Sequence, residues 1–79
     1  MSQSLDNTAH ATAGRPALAA DTLRERIVEG ELLPGTPLRD IALSAELGIS
    51  RNTLRQALRT LHEEGLVTQQ LHKGTTVRI

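Results

Sequence analysis

The sequence predicts a mainly α-helical domain of three helices followed by a small β-hairpin, an α+β fold. Apolar residues recur at helical spacing in three segments, and a glycine stands just after each of them. The hydrophobic pattern then changes to alternation in the last part of the chain, as strands require. With 79 residues the chain has room for one domain with one core.

The start of the chain predicts no packed structure. Residues 1–16 are rich in Ser, Thr, Asn and Ala, and Leu5 is their only large aliphatic side chain. Such a segment buries too little apolar surface to offset the entropy of ordering. We therefore expect a disordered tail over residues 1–16 and a folded domain over residues 17–79.

The first helix is predicted over Ala17–Glu29. Its apolar stripe, at spacings of three and four, consists of Ala20, Leu23 and Ile27. Gly30 follows where a helix C-cap favours a left-handed residue, and Pro34-Gly35 matches the centre of a type II turn.

A second helix is predicted from Arg39 or Asp40 to Leu47, closed by Gly48. Its expected apolar contacts are Ile41, Leu43 and Leu47. Ile49 then follows as a core residue.

The third helix is predicted over residues 51–64, with Ser50 as its N-cap. Its apolar stripe is Leu54, Ala57 or Leu58, and Leu61. Arg51, Arg55 and Arg59 recur every four residues on the opposite side, so the outside of this helix is cationic.

The end of the chain predicts a hairpin. We expect strands over Leu66–Leu71 and Thr75–Ile79 and a tight turn at residues 72–74. Because a lone hairpin is marginal in water, one of its faces must lie on the helices.

Two helices joined by Gly48-Ile49-Ser50 have the order and spacing of a helix-turn-helix, and the hairpin adds a wing. The second helix of such a pair fits the major groove of duplex DNA, with its N-terminal residues toward the base edges. The candidate DNA-binding residues of this helix are Ser50, Arg51, Asn52, Thr53, Arg55 and Arg59. Two alternatives stay open: Asn52 could help the helix cap, and Arg59 could pair with Glu63.

The wing tip supplies the second candidate contact. His72 and Lys73 bring polar or cationic groups, and Gly74 has no side chain to hinder approach to a minor groove or a phosphate. The sequence therefore predicts contacts to both grooves of a duplex.

Composition excludes several other classes of function. Without Cys, Phe, Tyr or Trp there is no disulfide, no thiolate metal site and no stacking platform for single strands. No stretch of about 20 residues is apolar enough to cross a bilayer, so no membrane partner is expected. The formal net charge is zero, but Ser50–Leu61 holds Arg and no acid, and screening keeps charges local over about 10 Å.

Neither catalysis nor a cofactor is expected. Ser50 has no His placed to activate it, so no catalytic residue is assigned. His10, His62 and His72 lie in a tail, a helix and a turn without metal-ligand spacing.

Three segments together resemble the N-terminal domain of GntR-type regulators: "IVEGELLPGTPL", "ALSAELGISRNTLRQALRTLHEEGLV" and "KGTTV". The resemblance covers Leu23–Val77, about 55 residues. Within the family the chain is most similar to the FadR-like (FCD-type) branch, and the all-helical effector domain of that branch is expected to lie outside this chain. The resemblance implies that Arg51 and Arg55 touch the operator, that Ser50 and Thr53 contact phosphates or bases, and that Gly74 lies in the minor groove. Many members carry a DNA-contacting Arg where this chain has Ile41, and Arg39 is a weak substitute.

The expected function is sequence-specific binding of double-stranded DNA by the operator-reading domain of a bacterial, cytoplasmic transcription regulator. The expected partner is a half-site of a palindromic operator, bound by a monomer of this fragment and by a homodimer of the longer regulator. The alternative is a winged-helix module for protein interaction, which would show an exposed apolar patch.

Overall fold

The fold is a three-helix winged helix-turn-helix, as the sequence predicts. The computed structural model describes the backbone of residues 2–72 and 74–79 and the side chains of residues 15–72 and 74–79. Its elements in chain order are α1 (Ser2–Val28), α2 (Asp40–Leu47), α3 (Arg51–Glu63), β1 (Val67–Gln70) and β2 (Gly74–Val77).

The first helix is longer than the predicted Ala17–Glu29. It begins at Ser2 and carries Pro16 inside. Residues 2–16, where the sequence predicts a disordered tail, belong to this helix, and their Ala residues favour helical backbone. Met1 lies outside the described residues, and the domain boundary at residues 16 and 17 stays a prediction. In the part of the chain that the structure describes, no helix combines the length and the apolar character that a membrane span requires.

The core lies where the three helices and the hairpin meet. Its fully buried large side chains are Leu23, Leu54, Leu58, Leu61, Val67 and Val77. Burying side chains of this kind contributes about 1.5–3 kcal/mol each before entropic costs, so α3, which supplies three of them, is fixed by its inner side. The expected core contact of Ile41 is wrong, because this side chain is 69 % exposed.

The hairpin is shorter than predicted and rests on the core through one residue from each strand. Val67 pairs with Val77 in the antiparallel register, and both are buried. Leu71 and Ile79, which were expected in the strands, lie beyond their ends and are exposed. Each strand has four residues, so the wing buries little area of its own.

A third backbone segment supports the wing. Gly35 N donates to Val77 O at 2.8 Å, Val77 N donates to Thr36 O at 2.9 Å, and Leu38 N donates to Thr75 O at 2.8 Å. The turn that starts this segment has Gly35 at φ +86° and closes with a bond from Thr36 N to Leu33 O at 3.0 Å. The loop before α2 therefore lies along β2 and ties the wing to the start of α2.

Candidate nucleic-acid interface

The start of α3 is fixed by a helix-turn-helix corner. Gly48 closes α2 in the left-handed conformation at φ +68° and donates its N–H to carbonyls of the last turn. Ser50 begins α3: its Oγ accepts a hydrogen bond from Thr53 N at 3.0 Å and donates one to Thr53 Oγ1 at 2.9 Å. The predicted N-cap is confirmed, and Asn52 is not the residue that supplies it.

The two sides of α3 differ sharply in burial. The inner side is closed by Leu54, Ala57, Leu58 and Leu61, which are all buried. The outer side carries four exposed residues that the sequence assigned to DNA: Arg51, Asn52, Arg55 and Arg59. Thr53 is half-buried beside the cap. The helix therefore presents guanidinium and amide groups to solvent from its first residue to Arg59.

We call Arg51, Arg55 and Arg59 the outer arginines. Among residues 15–72 and 74–79, Arg51 and Arg59 form no ion pair, so the possible Arg59–Glu63 pair is not made there. Arg55 does have a carboxylate partner, since its Nε donates to Asp40 Oδ2 at 3.1 Å. The Arg55 side chain is still 58 % exposed, and pairs of this kind contribute about 0–1 kcal/mol. The contact therefore does not remove Arg55 from the surface.

The wing tip lies between Gln70 and Gly74, which are cross-strand partners. The turn predicted at residues 72–74 is placed one residue too late, because Gly74 already belongs to β2. His72 is exposed and has a φ of +69°, an uncommon conformation for a residue with a side chain. Gly74 is also exposed, at φ +82°. Lys73 lies outside the described residues.

A cleft joins the helix to the wing. It is bounded by the first residues of α2, the first residue of α3 and the start of β2, with Arg39, Asp40, Arg51, Gly74 and Thr75 among its lining. Arg39 is exposed at its edge. Arg39 and Arg51 thus face one concavity, which brings a second cation to the start of the outer side of α3.

Sequence reasoning missed Asp40 and Thr75 as residues of this region. The helix dipole favours an acid in the first turn of a helix, and this alone accounts for Asp40 in the sequence. The sequence therefore did not indicate that Asp40 hydrogen-bonds to Arg55. Thr75 was assigned only to a strand, and its presence in the same cleft as Arg51 depends on how the wing packs.

Two arginines of α1, Arg24 and Arg26, are bound internally, and we call them the clamping arginines. The Arg24 guanidinium donates from Nε and Nη2 to the two carboxylate oxygens of Glu64, both at 2.8 Å, and from Nη1 to Asp21. Arg26 pairs with Glu31 and with Glu46 near the end of α2. These contacts connect α1 to the ends of α2 and α3.

The contact between α1 and α3 changes the acidity of its partners. Hydrogen bonds from Arg24 lower the pKa of Glu64 below its ordinary value, against a smaller opposing effect of desolvation. The same hydrogen bonds to Glu64, followed by those to Asp21, raise the pKa of the Arg24 guanidinium. Both groups are therefore charged at neutral pH.

Groups that could hold a metal are absent from the described side chains, where no three His, Cys, Asp or Glu residues come together. His62 lies with Nδ1 at 3.2 Å from the carbonyl oxygen of Val67, which favours the tautomer in which Nδ1 donates. This contact joins the end of α3 to β1.

The chain is similar to regulators from several bacteria. It is 47 % identical over 60 residues to the mannosyl-D-glycerate transport/metabolism system repressor MngR of Escherichia coli, covering 75 % of this chain and 25 % of that protein. It is 45 % identical over 58 residues to the transcriptional repressor NagR of Bacillus subtilis, covering 72 % and 24 %. The chain thus spans about a quarter of the length of these curated relatives.

Solved structures with the same fold include a putative GntR regulator from Rhodococcus sp. RHA1. It has a TM-score of 0.80 and 38 % identity, covering 82 % of this chain and 31 % of that one. The AraR DNA-binding domain, solved in complex with operator ORR3, has a TM-score of 0.72 and 28 % identity, covering 80 % and 77 %. The family model for bacterial regulatory proteins of the gntR family matches residues 17–77, and the chain belongs to that family.

Proposed function

We propose that this chain reads operator DNA for a bacterial transcription regulator, with α3 in the major groove and the wing tip at the minor groove. The observation that carries the proposal is the outer side of α3, where exposed arginines stand opposite a fully buried stripe. A helix fits the major groove, which is about 12 Å wide, and Arg pairs bidentately with guanine there. The AraR domain solved with its operator shows the same fold bound to DNA.

The assignments differ between side chains. Arg51 and Arg55 are proposed to contact base edges from the first two turns of α3, and Asn52 can pair with adenine from the same end. Arg59 lies deeper along the helix, where a phosphate is the nearer target. Ser50 and Thr53 already hydrogen-bond each other, so their role is mainly to hold the helix N-terminus open to a phosphate.

The wing completes the interface. Exposed His72 and Gly74 are proposed to approach the minor groove or a phosphate, together with Lys73. Arg39 is proposed to contact the backbone from the cleft beside Arg51, in place of the contact that the resemblance puts at Ile41.

The proposal extends to the assembly and setting of the protein. This chain is expected to bind a half-site as a monomer, and a longer regulator is expected to bind a palindromic operator as a homodimer. We place it in the cytoplasm, as a protein without enzymatic activity that needs no cofactor. Within the family, the FadR-like branch remains a prediction.

A protein-interaction role is not favoured by the distribution of apolar surface. The exposed large aliphatic side chains among the described residues are Leu18, Val28, Leu33, Ile41, Leu71 and Ile79, and none lies on α3. The outer side of α3 is therefore polar and cationic, unlike the apolar centre of a typical protein interface.

A salt titration tests the proposal. A duplex is first selected from a random library with this chain, and the unselected library serves as random DNA. If three cations, Arg39, Arg59 and Lys73, neutralise phosphates, raising the salt from about 50 to about 200 mM lowers affinity about 40-fold. Affinity that is indifferent to salt, or a selection that enriches no sequence, would refute DNA reading.

Arg55→Ala separates reading from positioning. The variant should lose about 1–3 kcal/mol on the selected duplex and much less on random DNA, because a guanine contact discriminates between bases. An equal loss on both DNAs would assign Arg55 to the phosphate backbone.

A further inference from the structure

Asp40 holds an unusual place for an acid on a DNA-binding surface. It is the first residue of α2, its side chain is 32 % exposed, and it lines the same cleft as Arg39 and Arg51. A carboxylate in this position repels phosphate, so by itself it weakens binding to every DNA sequence. The hydrogen bond between Asp40 and Arg55 indicates that Asp40 contributes by orienting Arg55.

The contact engages only one edge of the guanidinium. Arg has one donor hydrogen on Nε and two on each terminal nitrogen, in a rigid planar fork. Asp40 Oδ2 accepts from Nε at 3.1 Å, and neither terminal nitrogen of Arg55 has a hydrogen-bond partner among the described residues. The two terminal nitrogens, which form a bidentate contact with guanine, are therefore left available.

The same contact also limits where Arg55 can point. A free Arg side chain on a helix surface samples many rotamers and can reach phosphates as readily as bases. Asp40 is on another helix, 15 residues away in sequence, so its hydrogen bond fixes the Nε end relative to the rigid corner between α2 and α3. A guanidinium held in this way loses less freedom on meeting a base.

We propose that Asp40 is a positioning residue that makes Arg55 selective for base edges over phosphates. This inference rests on the proposed DNA-reading function and adds to it the second residue on which Arg55 depends. Asp40 lowers overall attraction to DNA and raises the difference between the specific and the random duplex. An ion pair that only stabilised the fold would not change, through Arg55, how strongly the chain distinguishes the specific duplex from the random one.

The chain offers a matched control on the same helix. Glu46 lies near the end of α2, carries the same charge and pairs with Arg26 of α1 instead of with an outer arginine. Neutralising Glu46 removes one negative charge from the domain without touching Arg55. Asp40→Asn and Glu46→Gln therefore separate positioning from net charge.

The experiment measures affinity for the selected duplex and for random duplex in wild type, Asp40→Asn and Glu46→Gln. A bidentate contact is worth about 5- to 150-fold in discrimination, and loss of its positioning should forfeit part of that. We expect Asp40→Asn to reduce the ratio of the two affinities about 3- to 10-fold, with random binding unchanged or tighter. Glu46→Gln should leave the ratio unchanged.

A double-mutant cycle with Arg55→Ala shows whether Asp40 acts through Arg55. In the Arg55→Ala background, Asp40→Asn should no longer change the ratio, and Asp40→Glu should retain most of it in the wild-type background. Far-UV circular dichroism checks folding. If Asp40→Asn is unfolded, Asp40→Ser, which keeps a polar group suited to a helix start, replaces it.

The outcomes are distinguishable. If Asp40→Asn changes both affinities by one factor, as Glu46→Gln does, or if its effect persists without Arg55, Asp40 does not position Arg55 and the inference is wrong while DNA reading stands. If the wild-type chain enriches no duplex, DNA reading itself fails and the inference fails with it.

Discussion

The arginines of α1 and those of α3 are used in different ways. Each clamping arginine, Arg24 and Arg26, binds two carboxylates and joins helices together. Arg51 and Arg59 bind no carboxylate among the described residues, and Arg55 binds one through a single nitrogen. Arginine thus joins helices within the domain on α1 and is exposed to solvent on α3.

The difference explains how a chain of zero net charge can attract DNA. The two clamping arginines bind four acids, Asp21, Glu31, Glu46 and Glu64, and so offset half of the negative charge of this group. Since α3 rises about 1.5 Å per residue, Glu64 is roughly 20 Å from Arg51, which is beyond the screening length of about 10 Å. At the start of α3, beside the cleft and the wing, the cations Arg39, Arg51 and Arg55 outnumber the carboxylate of Asp40.

The largest effect that we expect in this comparison comes from an outer arginine. Arg51→Ala should weaken binding to the selected duplex by about 1–3 kcal/mol, because it removes the proposed base contact at the helix start. Its folding stability should change by less than about 0.5 kcal/mol, since the side chain is exposed and unpaired within the described structure. A mobility shift and a urea titration measure the two quantities.

Arg78→Ala is the matched control for Arg51→Ala. Arg78 is exposed, and its guanidinium lies beside Gly65, just beyond the far end of α3. The control removes the same charge at a distance from the proposed interface. Equal losses for both variants would show that only net charge matters and would remove the distinction between the two groups of arginines.

A middle-sized effect is expected where α3 begins. Ser50→Ala removes the oxygen that accepts from Thr53 N and should lower stability by about 0.5–2 kcal/mol. Because the outer arginines are placed by the same helix turn, affinity for the selected duplex should fall as well. Ser50→Asn, which can also cap a helix, should recover most of the lost stability and most of the lost affinity. If it recovers neither, the N-cap does not determine how the outer arginines are placed.

The smallest effect is a change in the pH dependence of stability at the clamp. The pKa of Glu64 is lower in the folded chain than its ordinary value of 4.5 because Arg24 hydrogen-bonds its carboxylate. The contact therefore stabilises the fold above about pH 4.5, and this contribution is lost as pH falls through the folded-state pKa. Urea titrations between about pH 5 and pH 3 should show a steeper loss for wild type than for Arg24→Gln.

DNA binding should be almost insensitive to the same substitution. Arg24→Gln removes a charge far from the start of α3, so its affinity should match that of Arg78→Ala. A selective loss on the selected duplex, comparable to that of Arg51→Ala, would place a clamping arginine in the interface and contradict the separation described above.

Most of the helical fold was predictable because its signals are local. The bounds of α2 were predicted within one residue, and α3 ends one residue earlier than expected, since Gly48, Ser50 and the leucine stripe act within a turn of their own positions. The outer side of α3 was predictable for the same reason: periodicity alone places its arginines opposite the leucines.

The remaining features depend on contacts between distant parts of the chain. Ile41 has the apolar character of a core residue, yet α2 turns it outward because Leu43 on the same short helix occupies the core. The pairing of Asp40 with Arg55 and the bonds from the loop before α2 to β2 join segments without a shared sequence pattern. Such contacts follow from packing, which single-sequence reasoning does not reach.

The backbone bonds between the loop at residues 35–38 and β2 have a mechanical consequence. Since this loop leads directly into α2, the hairpin cannot swing away without disturbing the residues that precede Asp40. The spacing between α3 and the wing is therefore fixed in the unbound domain. Little conformational entropy then remains to be lost when the domain binds a duplex. Substitutions in the hairpin should therefore change the structure at the beginning of α2 as well as at the wing tip.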